Sequence, residues 1–470
     1  MSYIAEFLPH YLKFIAIYFF AVNSFYIVLF ALALLSIRRR THIKPLLGAQ
    51  GSSYGFSPPV SIIVPAYNEE KSIVDSVHSL LRLKYSRIEV VVVNDGSKDG
   101  TFEVMKKACL LEPDEVVRMS NLSKNNVRGI YRSQIHPNLI LIDKANSGKA
   151  DSLNIGMDYC AHDLVCAVDS DSLLDDDALL AISMPFVENP DTIASGGTIQ
   201  LANGSTFKNS RLVENQMPDR WLERVQIVEY IRSFFCGRVG LDMLNSTLVI
   251  SGAFGIFRKE AVVAVNGYQT TSLGEDMDLV VRMHRKYRDM GKKYSIVFLP
   301  DPVCWTEAPS DLKTLGKQRR RWQVGLLQTL YFNRDMMMNP RYGIIGLFAF
   351  PYNFIVDILG PFIEFSAYFA IAFGLALGTV HYEQIMTLVV ASLLYGMLIS
   401  VGAVVIGELY YHRYTRVRCI ALLVFSTVFE NFGYRQINSY WRIRALIDHL
   451  KGNHSWGDMK RKGFAKNRGS

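Results

Sequence analysis

The sequence predicts an α/β domain built on parallel strands and set between apolar helices long enough to cross a bilayer. Two β-branched runs, Val60–Val64 and Glu89–Val93, each end in polar turn residues, as buried parallel strands do. Between them Ile73, Val77, Leu80 and Leu81 fall at helical spacing within Glu69–Leu83. That completes a βαβ unit, whose strand ends open a nucleotide crevice. The third observation is compositional. At 470 residues, 50% hydrophobic and only 20% charged, the chain is too apolar for an ordinary soluble protein and too polar to lie wholly in a membrane.

In chain order, residues 1–40 read as a membrane anchor. Its apolar stretch, Tyr11 to Ser36, is followed by Arg38-Arg39-Arg40, whereas a signal peptide carries its positive charge first. A retained span with the rest of the chain entering the cytoplasm is expected, in the cell membrane. Residues 41–58 read as a linker and 59–330 as the α/β domain, with further strands at 138–142 and 164–168. Within 331–450, residues 341–356 read as interfacial or re-entrant because of Pro351 and Asn353. Residues 354–378 and 386–408 read as spans, and 419–433 is interrupted by Glu430 and Asn431. A basic tail, 451–470, is expected on the cytoplasmic side. The net charge of +8 gathers at Arg38–Arg40, Arg413–Arg418 and Lys460–Arg468, beside apolar segments, which favours anionic lipid over nucleic acid. Six cysteines without a CxxC pair argue against zinc or a disulfide framework.

Five polar motifs follow one another along the chain. Pro65-Ala66-Tyr67-Asn68-Glu69 and Asn94-Asp95-Gly96-Ser97 close the first two strands. There Asp95 can accept hydrogen bonds from a base or ribose, or simply form an Asx turn. Asp169-Ser170-Asp171 closes the 164–168 strand, where carboxylates two residues apart can converge on one hard cation; with Asp175-Asp176-Asp177 they can equally open an acidic helix. Lys149 follows Gly148 at a helix start, a place suited to phosphate oxygens, and a solvated lysine is the plain alternative. Gly274-Glu275-Asp276 precedes a helical stretch and offers Asp276 as a general base, with N-terminal helix capping as the alternative. In Gln318-Arg319-Arg320-Arg321-Trp322, spacings of three and four put Gln318, Arg321 and Trp322 on one helix face. Arginine pairs with diphosphate and indole stacks on sugar, although Arg and Trp also anchor helices at membrane surfaces.

This ordered set resembles the membrane-embedded, family-2-type inverting glycosyltransferases, which include synthases of hyaluronan, chitin, cellulose and poly-N-acetylglucosamine. The resemblance covers Val60 to about Leu330 and, more loosely, the flanking spans. It implies a GT-A fold, Rossmann-like and nucleotide-sugar-binding, a UDP-sugar donor, and Mg2+ or Mn2+. Pro65, Tyr67, Glu69, Asp95, Lys149 and Asp169 would bind the nucleotide sugar, and Asp169 and Asp171 the metal. Asp276 would be the base, while Gly252, Glu275, Gln318, Arg321 and Trp322 would face acceptor and diphosphate. Ser251-Gly252-Ala253-Phe254-Gly255 stands where relatives have an acceptor-facing loop. Phe234-Phe235-Cys236-Gly237, which has the cellulose-synthase wording, falls too early for that role. Gly274-Glu275-Asp276 lies nearer the poly-N-acetylglucosamine type than the Gly-Asp-Asp-Arg of many hyaluronan and chitin enzymes.

The expected activity is therefore processive transfer from a UDP-sugar to a growing polysaccharide, with export through the flanking spans and with an accessory subunit or a second copy as possible partners. Single transfer to a membrane lipid, as in ceramide glucosyltransferases, is the alternative within enzymes. A transporter or sugar-nucleotide-binding regulator without chemistry is the alternative outside them.

Overall fold

The computed structural model describes residues 2–41, 57–208, 211–379, 381–414 and 416–452. Most of the 41–58 linker and of the 451–470 tail lies outside them, with the Lys460–Arg468 cluster.

Four strands form the parallel heart of the sheet: β1 (Val60–Ala66), β2 (Ile88–Asp95), β5 (Leu139–Lys144) and β6 (Leu164–Val168), in the order β5-β2-β1-β6. β1 and β2 run in register, Ile62 opposite Val90 and Ile63 opposite Val91. Successive side chains on a strand face opposite ways. Ile62, Val64, Val90 and Val92 accordingly join one core, and Ile63, Val91 and Val93 another on the opposite face. Burial on both faces explains why these strands read as continuous apolar runs. Because all four run parallel, their polar C-terminal turns meet along one edge of the sheet.

The rest of the sheet departs from the parallel expectation. β3 (Leu111–Pro113) and β4 (Val127–Ser133) extend one side antiparallel. On the other side β11 (Phe254–Arg258) pairs antiparallel with β6, Phe254 opposite Val168, and also with β8 (Thr192–Leu201). β12 (Ser295–Thr306) runs parallel to β8 and then pairs with β7 (Leu173–Leu174). Its register slips between Phe298 and Val303, where Pro300 and Pro302 cannot donate to the ladder. The antiparallel return of β11 has a consequence for chemistry: it lays the Ser251-Gly252-Ala253 loop beside Asp169, at the end of β6. A separate hairpin, β9 (Thr206–Lys208) with β10 (Arg211–Glu214), stands off the sheet.

Among the described residues four helical segments are long and apolar enough to cross a membrane: Phe7–Arg38, Ile345–Ala376, Val389–Tyr411 and Val417–Leu450. The region expected to be interfacial is continuous with the second of these, through π-helical turns at Ile345–Ala349 and Asn353–Leu359 that absorb Pro351. The last segment breaks at Phe432 (φ −109°, ψ 100°) and Gly433 (φ 91°, ψ −54°), giving Val417–Phe429 and Arg435–Leu450.

Acidic groups within these segments have partners, and those of Glu430 and Glu364 are distant in sequence. Glu430 accepts from Arg232 at 2.5 Å and from Ser400 at 3.4 Å. Glu364 accepts from Ser439 at 2.8 Å and pairs with Arg435 at 2.9 Å, and Glu408 accepts from the Tyr414 amide at 2.9 Å. Arg413, expected on lipid, turns inward instead, with its guanidinium 4.2 Å from the Tyr411 ring and 5.7 Å from that of Trp305. The aromatic faces attract its charge, while its Nη2 has no hydrogen-bond partner among the described residues.

Candidate active site

At the shared strand edge the loops are laced together. The Asn68 amide donates to Ser97 (3.0 Å), the Lys98 amide to the Asn68 side chain (2.8 Å), and the Glu69 amide to Thr101 (2.9 Å). The Glu69 carboxylate accepts from Ser72 at 2.5 Å, at the start of the following helix. Tyr67 is exposed.

Asp95 is 4% exposed, and its two oxygens are fully engaged. Oδ1 accepts from the Lys144 ammonium and the Ser147 amide (2.9 Å), and Oδ2 from the Gly148 amide (2.9 Å) and the Asn146 side chain (3.2 Å). A carboxylate has about four acceptor positions. Asp95 thus clamps the 145–148 loop, and in this arrangement has no open lone pair for a base or ribose. Gly148, at φ +93°, adopts a conformation that glycine reaches without strain and leads into the Lys149–Tyr159 helix.

The remaining residues singled out in the sequence come together around one cavity of about 1000 Å³. Lys149, Asp169, Asp171, Gly252, Glu275, Asp276, Gln318, Arg321 and Trp322 all line it, whereas Pro65, Tyr67, Glu69 and Asp95 do not. The Lys149 ammonium is paired with Asp169 and lies 3.3 Å from the Gly252 carbonyl. Burial works against its charge, but Asp169, Glu275 and Asp276 outweigh that and hold its pKa above the ordinary lysine value. Asp276 Oδ2 accepts from the Gly252 amide at 3.1 Å and Oδ1 from the Met277 amide at 2.8 Å, so two backbone donors fix the carboxylate. Burial raises the pKa of Glu275, with Lys149 and Arg321 opposing and Asp276 reinforcing the rise.

A Cβ on Gly252 would sit 3.3 Å from the Lys149 nitrogen and 3.6 Å from Asp276 Oδ2. Glycine there leaves the space between cation and carboxylate open. Glu275 opens the helix Glu275–Asp289, and Gln318 to Trp322 lie within the helix Leu312–Phe332. The two helices touch through Gly274 and Gly325, backbone against backbone. Arg319 pairs with Glu229 at 2.6 Å and lies 4.8 Å over the Trp322 ring, which holds the indole at the cavity wall.

Asp169 and Asp171 supply hard carboxylate oxygens to the same cavity. Among the described residues no three His, Cys, Asp or Glu side chains are grouped to hold an ion. A donor set of two carboxylates suits a Mg2+-like cation that takes its other ligands from water and phosphate.

Residues 58–325 match the family described as glycosyltransferase like family 2. The chain belongs to this family. As a glycosyltransferase it also matches a family described as chitin synthase over residues 268–462. Poly-beta-1,6-N-acetyl-D-glucosamine synthase of Staphylococcus aureus strain COL is 27% identical over 305 residues, 65% of this chain and 63% of the relative. The enzyme of the same name from Staphylococcus epidermidis is 26% identical over the same shares. The chain thus spans 63% of the length of these curated relatives. Among solved structures, a mannosyltransferase from Pyrobaculum calidifontis in complex with GDP-Man and Mn2+ superposes with a TM-score of 0.55 at 18% identity, over 94% of this chain and all of that one. The fold of the glycosyltransferase is accordingly of the GT-A type, flanked by apolar helices.

Sequence reading missed some of the cavity wall. The Phe234–Gly237 stretch, set aside for its position, forms a π-helical turn (Arg232–Arg238), and Phe234, Gly237 and Arg238 line the cavity. Tyr26, Tyr352, Asn353, Asp357, Asn438 and Arg442 extend the lining into the apolar helices. No local motif marks these residues, because each reaches the cavity only through tertiary packing.

Proposed function

We propose that the chain is a processive inverting glycosyltransferase, moving sugar from a UDP-sugar onto a growing polysaccharide that leaves through the apolar helices. The observation that carries this reading is the continuity of the cavity. It begins at Lys149, Asp169 and Asp276 and runs on to Tyr26, Tyr352 and Asn438. A chain that lengthens at one end and exits at the other needs a polar-lined path of this kind, whereas a lipid acceptor would bring an apolar tail to it. The named relatives make UDP-N-acetylglucosamine the first donor to try.

In the proposed reaction the acceptor hydroxyl oxygen attacks the anomeric carbon as Asp276 takes its proton. The bond from that carbon to the diphosphate oxygen breaks, and its electron pair leaves on the phosphate. Lys149 and Arg321 face the developing charge, and their preorganisation is the main source of acceleration. Asp169 and Asp171 would hold Mg2+ or Mn2+, which supplies positive charge against the departing diphosphate. Trp322 offers a face for the acceptor ring. Asp95 and the 145–148 loop it clamps shape the nucleotide side. Residues 59–330 would form the catalytic domain on the cytoplasmic face of the cell membrane.

The test uses the purified chain in nanodiscs with radiolabelled UDP-sugars and Mg2+ or Mn2+, and products sized on a gel. High-mass product from the wild type, reduced about 100-fold or more in Asp276→Asn, is expected. Label confined to extractable lipid would replace this reading with single transfer, and an active Asp276→Asn would refute the base.

A further inference from the structure

Among the described residues Arg238 is a cation without an acidic partner in the wall of the cavity. Its side chain lies along aromatic surface, with the guanidinium carbon 4.0 Å from the Phe234 ring and 5.9 Å from that of Phe298. Both rings are buried. Its Nη1 is buried and has no hydrogen-bond partner among the described residues. Three other arginines of the wall are ion-paired, Arg232 to Glu430, Arg319 to Glu229 and Arg442 to Asp357. Arg321, proposed above to face the diphosphate, shares with Arg238 a buried donor without a partner among the described residues. Burial lowers the Arg238 pKa to about 10, with Asp276 and Tyr230 opposing the fall. Lys149, by contrast, feels Asp169 and Glu275 as well as Asp276. Arg238 and Asp276 line the same cavity and feel each other's charge.

A buried guanidinium with an unfilled donor is costly, and in the wall of a cavity a bound ligand can complete it. The Phe234 ring, 4.0 Å from the guanidinium carbon, restrains the group by cation–π attraction. We propose that Arg238 is an acceptor-binding residue, donating from Nη1 to a hydroxyl or amide-carbonyl oxygen of the terminal acceptor sugar and so fixing the attacking hydroxyl against Asp276. This rests on the glycosyltransfer proposed above and adds to it a residue of the acceptor subsite.

The test uses the full chain in nanodiscs with UDP-N-acetylglucosamine as donor and a β-1,6-linked N-acetylglucosamine oligomer as acceptor. KM is measured for each with wild type, Arg238→Gln and Arg238→Lys. Loss of one hydrogen bond from a charged donor is expected to raise the acceptor KM about 10-fold to 100-fold in Arg238→Gln. The donor KM should change by less than about twofold, and the lysine variant should recover some of the acceptor effect. Unchanged acceptor KM in Arg238→Gln, or equal rises for donor and acceptor, would overturn the assignment. Failure of the wild type to transfer label would instead refute the underlying function, and this inference with it. A misfolded variant is recognised by loss of its monodisperse elution and of donor binding, and Arg238→Lys then carries the comparison.

Discussion

Replacing Gly325 with alanine should push apart a pair of helices that now touch through their backbones. A Cβ at Gly325 would lie 2.7 Å from the Gly274 nitrogen, 2.8 Å from its Cα and 3.0 Å from the Leu273 carbonyl carbon. Ordinary contact begins at 3.4 Å, so the nearest contact is about 0.7 Å too short, and all three atoms are main chain that cannot rotate away. One helix carries Asp276 and the other Arg321, so the gap opens between the proposed base and the arginine proposed to face the diphosphate. A misplacement of about 1 Å can cost about 100-fold in rate. Gly325→Ala should therefore lose roughly 10-fold to 100-fold in kcat.

Helix propensity pulls the other way, favouring alanine by about 1 kcal/mol in a helix interior. Overpacking costs about 1–3 kcal/mol, so the variant should be no more stable than wild type and up to about 2 kcal/mol less. Gly396→Ala provides the control, since a Cβ there meets nothing within 4 Å. It should keep full turnover and be at least as stable as wild type. Turnover and thermal unfolding in nanodiscs decide the matter. A Gly325→Ala enzyme that works at the wild-type rate and melts with Gly396→Ala would refute the backbone contact.

The remaining predictions concern protons and metal. His284 is 2% exposed, donates from Nε2 to the Thr247 carbonyl and accepts at Nδ1 from Tyr294, both at 2.8 Å. Burial holds its pKa down to about 4, with the Thr247 bond opposing and Arg288 assisting. The unfolded chain takes up this proton near pH 6.5, so the contribution is full above that value and falls away as pH drops through about 4. The span is worth about 3 kcal/mol at about 1.36 kcal/mol per pH unit. Urea unfolding at pH 7 and pH 4.5 should show this loss in wild type and a smaller one in His284→Gln; equal losses would refute it. Chelation should stop turnover, and Asp171→Asn should need at least about tenfold more Mn2+ for half-maximal rate. An unchanged metal requirement in that variant would remove Asp171 from the cation site.

The region of the fold that sequence reveals is the one where neighbours along the chain are also neighbours in space. The β1–helix–β2 unit and the strands ending at Lys144 and Val168 each carry their own period and turn, and they form as expected. The cavity residues Lys149, Asp169, Asp171 and Asp276 were legible because each sits at an element terminus with a glycine or a strand end to mark it. Asp95 was legible as a strand-end carboxylate, but its task depended on Ser147 and Gly148, about fifty residues away. Arg238 was hidden because its meaning lies in a partner it lacks. The antiparallel β11 was hidden because Phe254–Arg258 is short and pairs only with distant strands.

The pairs inside the apolar segments bear on how the molecule is made. A glutamate alone in hydrocarbon is strongly disfavoured, by roughly 2.5 kcal/mol or more near a helix centre. Glu430 is neutralised by Arg232, which belongs to the domain between the first and second apolar segments, and Glu364 by Arg435 from the last, where Ser439 also donates a hydrogen bond to it. The later segments are therefore poor candidates for insertion one at a time. The α/β domain has to present Arg232 before the Val417–Leu450 segment can settle, so the order of synthesis, first apolar segment and then domain, matches the order in which the charges need their partners.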